Sequence, residues 1–333
     1  MSRPGTTFAA GSASLFSDLF DDRALTRLRR IVTLDDTLVT PDLRTVPLTA
    51  QGAEILITGW GAPRFDAATL AQWPNLRAIV HAAGTVKSLV TPELWERGIR
   101  VSSCAQANAY PVAEYTLAMI LLHGKRVLES SRDFVRTQSL SASVPVGEFG
   151  TYQITVGIIG ASRIGRRVIE LLRPFDIHCL LYDPSLSAAE CHALGTQPVT
   201  LAELVAGSDV VSVHAPSLSE TYRMIGRDEL GLMRDGAVLI NTARGVLVDT
   251  DALVDELSTG RLRAVLDVTD PEPLPPGHPL FSAPGVILTP HVAGSLGNEL
   301  RRIGHHVVDE IQRYVSSGRL AGEVTSPDLS QIA

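Results

Sequence analysis

The sequence predicts an α/β protein built on doubly wound parallel sheets. Three observations predict it. Short apolar, β-branched runs alternate with helical patterns along most of the chain, as βαβ units require. One such unit, ITVGIIGASRIGRRVIELLRPFDIHCLLYD at 154–183, is complete: strand, glycine turn, amphipathic helix, and a second strand that ends in an acid. Polar residues also follow the strands closely, at the carboxyl ends where open α/β sheets bind ligands.

At 333 residues the chain has room for two domains, and 45% hydrophobic content suits a globular protein with a full core. The net charge of −7 is spread over interspersed acids and bases. No basic stripe is present, so a nucleic-acid partner is not expected. Cys104, Cys179 and Cys191 form no CxxC pair and no metal pattern. A reducing cytoplasm is therefore expected, with no disulfide framework and no metal site. The stretch MSRPGTTFAAGSAS has no long apolar run after its arginine, so no signal peptide is expected. The apolar run at 117–122 is too short to span a bilayer, so no membrane partner is expected either.

The elements follow in order. Residues 6–10 can form a short strand, and DDRALTRLRRI reads as a capped helix start. Residues 54–58 (EILIT) form a strand that ends in the loop Gly59-Trp60-Gly61. A helix over 69–73 leads to the strand 78–82 (AIVHA) and the turn Ala83-Gly84-Thr85. A helix over 91–98 follows, then a strand at 100–103. Residues 108–138 read as one long helix, apolar at Val112, Tyr115, Met119 and Ile120 and charged from Lys125 onward; 139–150 reads as a loop. After residue 183 come a short helix at 201–205 and strands at 209–213, 237–240, 263–266 and 286–288. Helices at 227–233 and 249–257 separate them. The closing helix, 298–317, carries Ile303, Val307, Val308, Ile311 and Tyr314 on one face.

The unit at 154–183 has the physics of a dinucleotide site. Gly160 permits the sharp strand-to-helix turn, and Gly165 lets helix and strand pack closely. The helix start at Arg163 and Ile164 offers N–H groups and a positive dipole end to a pyrophosphate. Asp183 can accept hydrogen bonds from an adenosine ribose. A carboxylate there repels a 2′-phosphate, so NAD is the expected cofactor. Ser162 occupies the middle position of the GxGxxG spacing, where it alters the site by adding a hydroxyl.

Strand-end position selects His214, Asn241, Thr242, Arg244, Asp267, Glu272, Thr289 and His291 from the later chain. In the earlier chain it selects Trp60 and the Ala83-Gly84 turn. Arginine suits a carboxylate because its planar fork binds both oxygens. Histidine can exchange a hydroxyl proton near neutrality, and a neighbouring carboxylate orients its ring. Arg244, Glu272 and His291 are therefore complete for interconverting a 2-hydroxy acid and a 2-keto acid. Position favours His291 among the histidines. His305 and His306 lie mid-helix, His81 sits one step before a strand end, and His214 reads as cofactor-side or structural.

Five stretches carry a resemblance: VAEYTLAMILL (112–122), VGIIGASRIG (156–165), INTARG (240–245), LDVTDPEP (266–273) and TPHVAG (289–294). They resemble the D-isomer-specific 2-hydroxyacid dehydrogenase family, which includes D-lactate, D-glycerate and D-3-phosphoglycerate dehydrogenases. The resemblance covers residues 50–315. It implies two Rossmann-like or flavodoxin-like domains. An NAD-binding domain at 104–299 is inserted into a discontinuous substrate domain made of 1–103 and 300–333, and the final helix packs back on the latter. It implies that Arg244 binds the substrate carboxylate, Glu272 supports the histidine, and His291 is the acid/base. Expected cofactor contacts are Gly160, Ser162, Arg163, Ile164 and Asp183, joined by His214, Ala215, Pro216 and Thr221. Thr242, Ala243, Asp267 and His291 complete them, with Asp267 near the nicotinamide carboxamide. Ala83 and Gly84 are expected at the substrate carboxylate, with Trp60 and Lys87 as further substrate contacts. A homodimer is implied, with the helix from residue 112 near its interface.

Two departures stand out. Ser162 replaces the middle glycine, and the turn Gly84-Thr85-Val86-Lys87 lacks the acid that the family commonly carries there and brings in the cation Lys87. The lysine suggests a second anionic group on the substrate. No added regulatory domain is expected at this length. Formate dehydrogenases carry glutamine at the position of Glu272, which argues against that activity. A dinucleotide-sensing corepressor on the same fold is the alternative from a different class. The sequence does not rank glyoxylate, hydroxypyruvate, pyruvate, phosphoglycerate or larger acids as substrate.

Overall fold

The computed structural model describes residues 3–12, 14–39, 46–145, 147 and 149–330. Two compact units emerge, one of residues 1–108 with 295–332, the other of residues 109–294. The chain crosses at 108/109 and 294/295, against the 103/104 and 299/300 read from the sequence. Asn108 Oδ1 accepts from Ser295 N at 2.9 Å, which ties both residues into the first unit. Residues 331–333 of the expected substrate segment lie outside the described residues.

The strands are β1 (Gly5–Ala9), β2 (Thr33–Val39), β3 (Ile55–Thr58), β4 (Ala78–His81) and β5 (Arg100–Ser103). There follow β6 (Thr155–Ile159), β7 (His178–Tyr182), β8 (Gln197–Pro198) and β9 (Val210–Val213). The last are β10 (Val238–Asn241), β11 (Arg263–Leu266), β12 (Val286–Leu288) and β13 (Glu323–Val324).

In the first unit the sheet order is β13-β5-β4-β3-β1-β2, parallel except for β13 against β5. Strands β3 and β4 are buried at every position, as strands covered on both faces must be. One face packs under Phe65, Trp73 and Leu94. The other meets Leu19, Leu28 and the final helix, Leu300–Ser317, through Ile303, Val307 and Ile311. Gly304 permits this approach, since a Cβ there would lie 1.8 Å from the Leu19 carbonyl oxygen. Glu310 is 2% exposed and accepts from Ser102 Oγ, Ala321 N and Gly322 N. These bonds satisfy its buried charge and pin the chain into β13. Neither β2 (TLDDTLV) nor β13 was readable as a strand, because neither is an apolar run.

In the second unit seven strands run parallel in the order β12-β11-β10-β9-β6-β7-β8. The chain winds outward from β6 in one direction and from β9 in the other. The topological switch therefore falls between β6 and β9, and a ligand crevice is expected at their carboxyl ends. Helices cover both faces. The expected long helix is two: Ala105–Gly124 and Val127–Thr137, broken at Arg126, whose φ is 51°. Gly124 O accepts from Gly150 N at 2.7 Å, so the break seats the following loop. Within that expected loop, Leu140–Ser143 forms a helical turn. Two further short elements, β8 and the helix Ala188–Ala193, were not read from the sequence. No described helix is long and apolar enough to cross a membrane.

Candidate active site

The glycine turn sits at the end of β6, beside the end of β9. Gly160 has φ 92°, and a Cβ there would lie 2.8 Å from Ala215 N. Only glycine suits both restrictions. A Cβ on Gly165 would lie 2.1 Å from the Gly160 carbonyl oxygen, so helix and turn meet backbone to backbone. Ser162 is the N-cap of the helix Arg163–Leu172, and its Oγ accepts from Gly165 N at 3.3 Å. The serine thus replaces a glycine with a cap and fixes the helix start. Arg163 is exposed and Ile164 partly so. A helix start of this kind favours an anion through its N–H groups and dipole.

Asp183 closes the turn from β7. Its Oδ2 accepts from Ala161 N at 2.7 Å, and its Oδ1 accepts from Ser185 N and Oγ at 2.9 and 2.6 Å. Burial works to raise the Asp183 carboxyl, but the bonds from Ser185 and Ala161 outweigh it and hold the group below the usual range. On the β9 side, His214 is 3% exposed, and burial pushes its imidazole down to about 3, so it is neutral. Its Nε2 lies 2.9 Å from Ser212 Oγ. Thr221 Oγ1 donates to Pro216 O at 2.6 Å and accepts from Leu218 N at 2.9 Å, which shapes the loop that begins with Ala215 and Pro216.

The proposed chemistry lies beyond β10, β11 and β12. Asn241 ends β10; its Nδ2 donates to Arg244 O at 2.8 Å and its Oδ1 accepts from Ala243 N at 3.0 Å. One buried amide therefore fixes the loop that carries Arg244. Thr242 Oγ1 lies 3.2 Å from Thr116 Oγ1, on the helix Ala105–Gly124. Burial lowers the Arg244 guanidinium from its ordinary value, and the Glu272 carboxylate offsets part of this. It remains a cation at any working pH. Gly245 lets the next loop pass, since a Cβ there would lie 2.0 Å from the Thr269 carbonyl.

That next loop carries Glu272. Its Oε1 lies 2.7 Å from His291 Nδ1. The carboxylate accepts, so Nδ1 carries a proton. Nε2 has no partner among the described residues and is the nitrogen left for proton exchange. His291 has φ 55°, an uncommon conformation for a non-glycine residue. Asp267 holds it there. The Asp267 carbonyl accepts from His291 N at 3.0 Å. Its carboxylate accepts from Thr289 Oγ1, Val292 N and Ala293 N at 2.5, 2.8 and 2.9 Å. The sequence reading placed Asp267 at the carboxamide; in the structure its visible work is to clamp the His291 loop.

The earlier candidates lie in the first unit. Trp60 is 44% exposed, Ala83 is buried, and Lys87 is exposed, with its backbone N on Thr85 Oγ1 at 3.3 Å. Gly84 has only Asn108 Nδ2, at 3.8 Å, near the place a Cβ would take. His81 is 4% exposed, with Nδ1 2.9 Å from Thr58 Oγ1. Burial pushes it down to about 4, partly offset by a hydrogen bond to the Thr85 backbone, so His81 is neutral and braces the Gly84 turn. Asn241 and Thr289 were selected from the sequence by position but given no role, and Gly245 was not selected. Asn241 and Thr289 carried a signal, their strand-end place; Gly245 carried none beyond its position after Arg244.

Fold and glycine turn together define a dinucleotide-binding α/β protein, with the His291–Glu272 pair beyond the carboxyl ends of the same sheet. Residues 117–293 match the D-isomer specific 2-hydroxyacid dehydrogenase NAD-binding domain. The chain is 31% identical over 271 residues to D-3-phosphoglycerate dehydrogenase of Mycobacterium leprae, which covers 80% of this chain and 50% of that one. The chain thus spans about half the length of such phosphoglycerate dehydrogenases. It is 34% identical over 262 residues to glyoxylate reductase of Aeropyrum pernix, which covers 77% of this chain and 78% of that one. Among solved structures, a Thermus thermophilus protein aligns with a TM-score of 0.75 and 31% identity, over 96% of this chain and 100% of that one. The chain belongs to the D-isomer-specific 2-hydroxyacid dehydrogenase family. Its cofactor is a nicotinamide dinucleotide. The tight turn at Gly160 and Gly165, where a Cβ would strike backbone, seats the start of the helix Arg163–Leu172 at the carboxyl end of β6, which fits that group.

Proposed function

We propose that the chain interconverts a D-2-hydroxy acid and its 2-keto acid, with NAD(H) as cofactor. The observation that carries this is the 2.7 Å contact between His291 Nδ1 and Glu272, beside a half-buried Arg244. When bound, the nicotinamide supplies or accepts the hydride. Arg244 pairs with the substrate carboxylate and polarises the keto group. Glu272 holds the Nδ1 proton in place, so in reduction the imidazolium form of His291 gives its Nε2 proton to the forming alkoxide, and in oxidation the neutral ring takes that proton back at Nε2. Ala83, Gly84, Trp60 and Lys87 are proposed as substrate contacts from the first unit, with Lys87 facing a second anionic group. The second unit is proposed as the NAD-binding domain and the first as the substrate domain.

Ser162, Arg163 and Ile164 hold the pyrophosphate in this reading, on the turn that Gly160 makes possible. Asp183 accepts from the adenosine ribose and repels a 2′-phosphate, which favours NAD over NADP. His214, Ala215, Pro216 and Thr221 line the adenosine side; Thr242, Ala243 and Asp267 lie on the other. A homodimer is proposed on the helix Val127–Thr137, which has no buried residue and leaves Phe134 and Val135 47% and 76% exposed. A cytoplasmic location is proposed from the free cysteines.

The test follows NADH absorbance with glyoxylate, hydroxypyruvate, pyruvate and phosphohydroxypyruvate, then repeats the best pair with NADPH. Turnover with at least one acid and a preference for NADH are expected. Tight NADH binding without turnover on any acid would favour the corepressor reading instead. Lys87→Ala should narrow the ratio between phosphorylated and simple substrates; an unchanged ratio removes Lys87 from the pocket.

A further inference from the structure

We propose that Tyr115 and Thr289 are positioning residues for His291, forming a clasp between the helix Ala105–Gly124 and the histidine loop. The inference rests on His291 being the acid/base of the proposed reaction. Tyr115 Oη lies 2.9 Å from Thr289 Oγ1, and Thr289 Oγ1 lies 2.5 Å from Asp267 Oδ1. The direction of this chain follows from proton counting. An ionised carboxylate only accepts, so the single hydroxyl proton of Thr289 goes to Asp267. Tyr115 must then be the donor to Thr289. A hydroxyl that is itself receiving a hydrogen bond donates a stronger one.

Asp267 is 2% exposed and gathers the loop around His291: the carbonyl holds His291 N, and the carboxylate holds Val292 N and Ala293 N. The histidine is held at φ 55°, and a strained residue of this kind persists only where its surroundings over-determine it. In that conformation Nδ1 reaches Glu272. Tyr115 is the outermost member of the set and is neither at the sheet edge nor in the trio. Its ring is half-buried, so a phenylalanine there keeps the packing and removes only the hydroxyl.

The test uses Tyr115→Phe, Thr289→Val, Thr289→Ser and the double variant Tyr115→Phe/Thr289→Val in the full chain, with NADH and glyoxylate as probes. Loss of one hydrogen bond predicts a kcat about 5-fold lower in Tyr115→Phe. NADH affinity, read by fluorescence, should change less than about 2-fold, because Val292 N and Ala293 N still hold Asp267 on the cofactor side and the glycine turn is untouched. The double variant should be no worse than Thr289→Val, and Thr289→Ser should recover most of the wild-type kcat. Hydrogen–deuterium exchange of the peptide holding Val292 and Ala293, measured without substrate, should quicken in both Tyr115→Phe and Thr289→Val. Wild-type exchange in either variant, or effects on kcat that simply multiply in the double variant, would overturn the clasp. Faster exchange in a protein that reduces no 2-keto acid would leave the clasp standing and remove the proposed reaction.

Discussion

His291 combines two features that seldom meet in one residue: a left-handed backbone and a side chain in contact with a carboxylate 19 positions earlier. The first sets the direction of the imidazole, and the second sets its tautomer. Replacing His291 by alanine removes proton exchange and leaves the glycine turn intact. Turnover should fall by about 100- to 10,000-fold, with NADH affinity nearly unchanged. Steady-state kinetics with a parallel fluorescence titration checks this, and a variant with wild-type kcat would remove His291 from the mechanism. The residue types of the candidate site were legible where position exposed them. Arg244, Glu272 and His291 each follow a strand, and their side chains suit one reaction. Ser162 was legible only as a departure. Its hydroxyl caps the helix on Gly165 N, a bond that depends on the extended backbone at Ser162 and not on its spacing from Gly160.

The loops that bear the trio are registered by small contacts between neighbouring strand ends. Gly245, at the end of the Arg244 loop, touches the backbone of Thr269, at the start of the Glu272 loop. Gly245→Ala would drive a methyl group into that carbonyl and push the two loops apart. The cost of such overpacking is about 1–3 kcal/mol, so both Tm and kcat/KM should fall, the latter by roughly 10-fold or more. Thermal unfolding and kinetics on the same sample decide it, and an unchanged Tm with unchanged kcat/KM would mean the loops have slack. The sequence could not show this contact, because the nearest approach of two backbones leaves no trace in side-chain pattern. The same holds for the helix break at Arg126, where Lys125 and Arg126 read as ordinary helix formers. Tertiary hydrogen bonding between Gly150 N and Gly124 O accompanies the break.

Besides His123, which burial also pushes down, two buried neutral histidines lie at turns of the candidate site: His81, pushed down to about 4, in the first unit, and His214, pushed down to about 3, in the second. Both groups take up a proton at about 6.5 in an unfolded chain. Below that pH the unfolded chain binds more protons than the folded one, so stability falls as pH drops from about 6.5 toward the folded values. Urea midpoints should therefore decline from pH 7 to pH 5, and His81→Asn should flatten the decline; a level midpoint over that range would contradict the burial of both rings. Light scattering tests the assembly: a dimer is expected, and Phe134→Glu with Val135→Glu should yield a monomer. A wild-type monomer would retire that proposal. The sequence by itself determined the α/β class, the glycine turn and the residue types of the site. These rest on local rules: strand periodicity, the steric need for glycine, and side chains at strand ends. Only the tertiary structure decided that Glu272 meets His291, that Asp267 clamps the loop between them, and that His81 and His214 stay neutral. Those outcomes depend on burial and on contacts between residues far apart in the chain, which local pattern does not encode.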